Sequence, residues 1–108
     1  MGKILGHLEP KAVWNYFEEI CQYPRPSKKE EKIAAYLVSW AKENKFETKR
    51  DKAGNIVVRK PATKGMEKRK PIAIQGHIDM VCEKNADVKF DFDKDAIQPW
   101  VDGDWVKA

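Results

Sequence analysis

Apolar residues recur along this chain first at helical and then at strand spacing. Val13, Phe17, Ile20 and Cys21, widened by Leu8 and Trp14, form one stripe of a helix predicted over Leu8 to Ile20. Pro10 suits its first turn, where a missing N–H costs nothing. Tyr23-Pro24-Arg25-Pro26 ends it, because prolines cannot continue the ladder and push the preceding residues toward extended conformations. A second helix is predicted to begin at Ser27, where Ser27-Lys28-Lys29-Glu30 reads as a capping box. Ile33, Ala34, Leu37, Trp40 and Ala41 give it a buried face, and Asn44 is its expected stop.

Strand patterns follow. Phe46 to Arg50 alternates weakly, Asp51-Lys52-Ala53-Gly54-Asn55 is a turn, and Ile56-Val57-Val58 is β-branched, so a hairpin is expected. Pro71 to Gln75 is a short apolar run with Ile72 and Ile74 as its core residues, the character of an interior strand. Ile97 to Val101 and Trp105 to Lys107 flank Asp102-Gly103, a strong hairpin signal. Together these predict an α/β fold: a mixed sheet flanked by helices. The last strand has barely begun at Ala108, so a longer domain is expected.

With 108 residues the chain suits one domain, and its four Trp, four Phe and three Tyr argue against disorder. The net charge of +4 traces largely to Lys60, Lys64, Lys68, Arg69 and Lys70 around Glu67. Such a local excess reads as a solvated hairpin rather than a nucleic-acid footprint. No stretch approaches the roughly 20 apolar residues of a membrane span, and the first seven residues are too short in apolar length for a secretory signal. Cys21 and Cys82 stand far apart and in no Cys-x-x-Cys arrangement. Both are read as reduced thiols of a cytoplasmic protein.

The candidate chemistry lies in Gly76-His77-Ile78-Asp79-Met80. On an extended chain His77 and Asp79 project on one face, roughly 6.5–7 Å apart along the backbone. A carboxylate so placed can approach the imidazole nitrogen that a metal does not use, fixing its tautomer. The bland alternative is a strand-end histidine beside a solvated aspartate. Cys82, three residues past Asp79, falls on the opposite face of a continuing strand and reads as a small buried hydrophobe. Asp91-Phe92-Asp93-Lys94-Asp95 resembles the start of a calcium loop. The match then fails at Ala96, Pro99 and Asp102, which leaves a solvated loop. His7 has no acidic or Cys neighbour at ligand spacing. The residues alone therefore support half of a metal site and no complete one.

The stretch Ile74-Gln75-Gly76-His77-Ile78-Asp79-Met80-Val81-Cys82-Glu83-Lys84-Asn85 resembles the first metal-ligand motif of the aminoacyl-histidine dipeptidases, the bacterial peptidase D group of the di-zinc aminopeptidase and carboxypeptidase clan. Leu8-Glu9-Pro10 with Trp14-Asn15-Tyr16-Phe17, Pro24 to Glu30, Asp51 to Asn55 and Val101 to Ala108 resemble the same group, in the same order. The resemblance implies that His77 is a ligand to one zinc ion of a pair. It implies that Asp79 is the candidate catalytic carboxylate, orienting that histidine. It implies hydrolysis of a dipeptide with C-terminal His by a zinc-bound water, with a Glu as general base. The family's bridging Asp, its Glu base and the remaining ligands cannot be placed on any residue of this chain. Residues 1–108 are thus expected to be the amino-terminal part of a zinc-peptidase catalytic domain, inactive alone, with a homodimeric parent left open. The main rival is a small basic binding module using the Lys60–Lys70 loop. A third reading is an interaction domain that has kept the fold and lost the chemistry.

Overall fold

The computed structural model describes residues 3–108, which form two helices and two small antiparallel sheets: α1 Lys11–Ile20, α2 Glu31–Glu43, β1 Glu47–Arg50, β2 Ile56–Arg59, β3 Trp100–Asp102 and β4 Trp105–Lys107. The described residues divide into two compact units, 3–33 with 79–108 and 34–78.

In the first unit α1 starts three residues later than its pattern suggested. Pro10 is its N-cap, extended at φ −72° and ψ 131°, rather than a first-turn residue. The predicted apolar stripe is not the buried face: Val13 is 59% exposed and Phe17 40%, while the helix buries Glu18 and ends on buried Cys21. The Glu18 carboxylate accepts from the backbone N–H groups of Ile4 at 2.5 Å and Leu5 at 3.2 Å. This charge is stabilised by donors that would otherwise be orphaned where Leu5 is fully buried. Farther along, the Ile97 N–H donates to the Cys21 carbonyl at 3.0 Å, tying the polar stretch before β3 to the end of α1. β3 and β4 pair with Asp102 opposite Trp105, so the two-residue turn is Gly103-Asp104, one residue later than expected. Gly103 has φ +57° at the first central position, the signature of the primed turns that suit right-twisted strands.

α2 starts in the first unit, with Glu31 to Ile33, and continues through the second, and its buried face is the one its pattern gives. Ala34 and Ala41 are buried and Leu37 and Trp40 half-buried, as is Ile33 buried at the edge of the first unit. Its end is a Schellman motif: the Phe46 N–H bonds the Ala41 carbonyl at 2.9 Å and the Lys45 N–H bonds the Lys42 carbonyl at 2.9 Å. Lys45 takes the left-handed conformation, φ +59°, where glycine is usual. The hydrophobic contact that accompanies such motifs is Phe46 against Trp40, ring centroids 5.8 Å apart. Asn44 contributes from the cap itself, its side-chain amide donating to the Trp40 carbonyl at 2.8 Å. β1 and β2 then form the expected hairpin, Glu47 facing Arg59 and Arg50 facing Ile56.

Helices with small sheets bear out the α/β class, but one mixed sheet is not formed. Pro71 to Gln75 joins no ladder, and Ile72 and Ile74 are 86% and 93% exposed rather than core. A strand exists only through hydrogen bonds to a neighbour, and none of the described residues supplies one here.

Candidate functional site

His77 and Asp79 were expected at the end of a paired strand; they lie instead on a stretch without regular structure, His77 exposed and Asp79 half-buried. Order begins at Asp79. Its carboxylate accepts a hydrogen bond from the Ser27 hydroxyl at 2.5 Å, across 52 residues of sequence. The next N–H, that of Met80, donates to the Arg25 carbonyl at 2.9 Å, and Pro26 and Met80 form an isolated parallel bridge.

The segment before α2 is built for this contact. Pro24 and Pro26 hold Tyr23 and Arg25 near extended geometry, so the Arg25 carbonyl is presented sideways as a strand presents it. The chain then reverses tightly: the Lys29 N–H bonds the Pro26 carbonyl at 2.8 Å, and Lys28 sits at φ +69°. The capping box is not formed. Glu30 Oε1 accepts from the Lys28 N–H at 2.8 Å, the Ser27 hydroxyl donates to Asp79, and α2 begins only at Glu31. Ser27 is therefore the residue that sequence reasoning misassigned. Its local pattern matched a cap, and nothing in spacing connects it to Asp79.

The other candidates separate from this segment. Cys82, expected to be buried, is exposed, because no helix or strand among the described residues covers the chain just beyond Met80. Cys21 is buried, and that burial pushes its thiol above the ordinary value, with the Arg25 guanidinium pulling it back. The Asp91–Asp95 stretch is a loop, as expected, and it closes on itself. The Asp91 N–H donates to Asp95 at 2.7 Å, the Asp93 N–H to Asp91 at 2.9 Å, and the Asp93 carboxylate pairs with Lys29 at 3.0 Å. In the basic loop every residue from Lys60 to Lys70 is exposed, and Glu67 turns inward to accept the Gly65 N–H at 3.0 Å. Its own backbone N–H, together with that of Gly65, holds the Glu67 carboxyl below its ordinary value. His7 is exposed.

For the zinc pair that the resemblance implies, the donor chemistry fits in part. His77 is an exposed imidazole, and the carboxylate two residues on is held by a hydroxyl. No group of three or more His, Cys, Asp and Glu that could hold a metal ion occurs among the described residues, so this chain by itself does not complete the site.

No family model matches the chain. Among curated proteins it is 55% identical over 104 residues, 96% of its length, to a cytosol non-specific dipeptidase of Escherichia coli (strain K12). Among solved structures it superposes on the aminoacylhistidine dipeptidase of Vibrio alginolyticus with a TM-score of 0.91, 49% identity and 94% of this chain covered. The chain is thus similar, over almost its whole length, to a part of these dipeptidases. It spans 21% of the length of each of these dipeptidases, so it corresponds to a portion of a family member, and an amino-terminal portion fits. No helix among the described residues is long and apolar enough to cross a membrane.

Proposed function

We propose that residues 1–108 are the amino-terminal part of the catalytic domain of a cytoplasmic, zinc-dependent dipeptidase, acting on dipeptides that include those with C-terminal His. The observation that carries this reading is the similarity of almost the whole chain, at 55% and 49% identity, to two proteins named as dipeptidases. One of those names is non-specific and the other specifies aminoacyl-histidine substrates, which motivates a dipeptide substrate with His preference as the feature to be measured.

In this reading His77, an exposed imidazole, supplies one nitrogen donor to the metal pair. Asp79 orients the imidazole and raises its basicity. Zinc, when bound, polarises the scissile carbonyl and lowers the pKa of its water. The general base and the remaining ligands come from outside these residues, so the chain alone is inactive.

The test is expression of the full native reading frame beside residues 1–108, with hydrolysis of a dipeptide panel followed with and without chelator. Chelator-sensitive turnover by the full frame, lost in His77→Ala and absent from the 108-residue chain, is expected. Robust zinc-dependent hydrolysis by the short chain, or full activity in His77→Ala, would overturn the reading.

A further inference from the structure

We infer that the basic loop Lys60–Lys70 binds the phosphate backbone of duplex nucleic acid, independently of base sequence. Spacing alone reads this loop as a solvated hairpin; the structure adds observations that favour an anionic partner. Residues 34–78 hold eleven Lys and Arg against four Asp and Glu, a net +7. Residues 3–33 with 79–108 hold ten against thirteen, a net −3. The basic excess therefore belongs to one unit, and its densest part is this loop. Lys60, Lys64, Lys68, Arg69 and Lys70 are all exposed, and none of them is in an ion pair among the described residues. The loop's one carboxylate, that of Glu67, is turned onto the Gly65 N–H at 3.0 Å instead of onto a neighbouring cation.

The loop backbone is ordered by two successive turns. The Met66 N–H donates to the Thr63 carbonyl at 2.8 Å and the Arg69 N–H to the Met66 carbonyl at 3.0 Å, with Gly65 at φ +88° between them. Cations carried on an ordered backbone lose less freedom on binding than the same charges on a mobile tail. Composition then selects among polyanions. No Trp, Tyr or Phe occurs between Glu47 and Ile78, so the unstacked bases of a single strand have no aromatic platform there. A lipid surface is held by apolar side chains that enter it as well as by cations, and Met66 is the one large apolar residue from Lys60 to Lys70. Duplex phosphates require neither. Residues 60–70 contain no helix or strand to enter a groove, so the contact carries no base readout.

The test uses the full native reading frame, titrated into a labelled random-sequence duplex over a series of salt concentrations. Each phosphate neutralised contributes about −0.9 to the slope of log affinity against log salt. With about four phosphates met, the slope is about −3.6, and a roughly fourfold rise in salt weakens binding about 150-fold. Lys64→Ala/Lys68→Ala should bring the slope to about −1.8, and Glu67→Gln, which removes the loop's negative charge, should tighten binding. Lys84→Ala/Lys89→Ala removes the same charge from exposed positions of the first unit and should leave the slope unchanged. That comparison separates the loop from net charge. Equal losses in the two double variants, or no binding to the duplex at low salt, overturn the inference. Tighter binding to a single strand, to phosphatidylserine vesicles or to polyglutamate than to the duplex overturns it too, each naming a different partner. Circular dichroism checks folding. If the loop double variant does not fold, Glu67→Gln decides by itself, since unchanged or weaker binding there contradicts the role of the loop.

Discussion

Glu18→Ala is the substitution whose consequence the structure specifies most closely. Glu18 is only 8% exposed, and its carboxylate accepts from Ile4 N at 2.5 Å and Leu5 N at 3.2 Å, 14 and 13 residues away. Hydrogen bonds to a charged group contribute about 1.5–3 kcal/mol each, and neighbouring bonds to one acceptor do not add fully. Ile4 is exposed, so water replaces part of its bond; the Leu5 N–H is beside a fully buried side chain and has no such substitute. The docking of residues 4–8 on α1 should weaken by about 2 kcal/mol, roughly a 30-fold change in its opening equilibrium. Amide hydrogen exchange followed by NMR reads this directly, as roughly 30-fold faster exchange at Leu5 with little change at the α2 amides. Glu18→Gln retains one acceptor oxygen and should fall between. Unchanged exchange at Ile4 and Leu5 in Glu18→Ala would refute the account, because no other partner for those two donors is part of it.

Three further outcomes can be checked on the same material. Lys45→Gly should raise stability by about 1 kcal/mol in a denaturant titration, since Lys45 holds φ +59° at the helix end, where a side chain is strained and glycine is not; destabilisation would contradict that. Asp51 accepts from the Asn55 side-chain amide and backbone N–H, both at 2.8 Å, and the first of these does most to hold its carboxyl below 3.8. Its contribution to the β1–β2 hairpin is therefore fully present above pH 3.8 and lost as pH falls through the lower folded value, a dependence on Asn55 chemical shifts that Asp51→Ala should abolish. Of the two cysteines, exposed Cys82 should react with an aromatic disulfide reagent at least about tenfold faster than buried Cys21, both reacting alike in urea; equal native rates would show that Cys21 is not enclosed.

Several elements are legible in the order of amino acids alone. The face of α2 is readable because Ile33, Ala34 and Ala41 repeat at the period of the helix that buries them. Both hairpins are readable because Gly54 and Gly103 tolerate positive φ at their turns. Family resemblance through His77-Ile78-Asp79 and the ordered segments around it is also in the sequence, and the two dipeptidases agree with it.

Other features depend on what each segment meets in space. Val13 and Phe17 have helical periodicity, yet α1 turns Glu18 and Cys21 inward, because two backbone donors near Leu5 stabilise a buried carboxylate that no hydropathy pattern anticipates. Ile72 and Ile74 carry the composition of an interior strand, but a ladder needs a partner as well as a propensity. Ser27 is the sharpest case. Its neighbours spell a helix cap, a local signal, while its hydroxyl bonds a carboxylate 52 residues away. Periodicity and capping signals report interactions along a few turns of chain. Contacts between distant residues follow from how the segments pack, and that is where Asp79 acquires its partner.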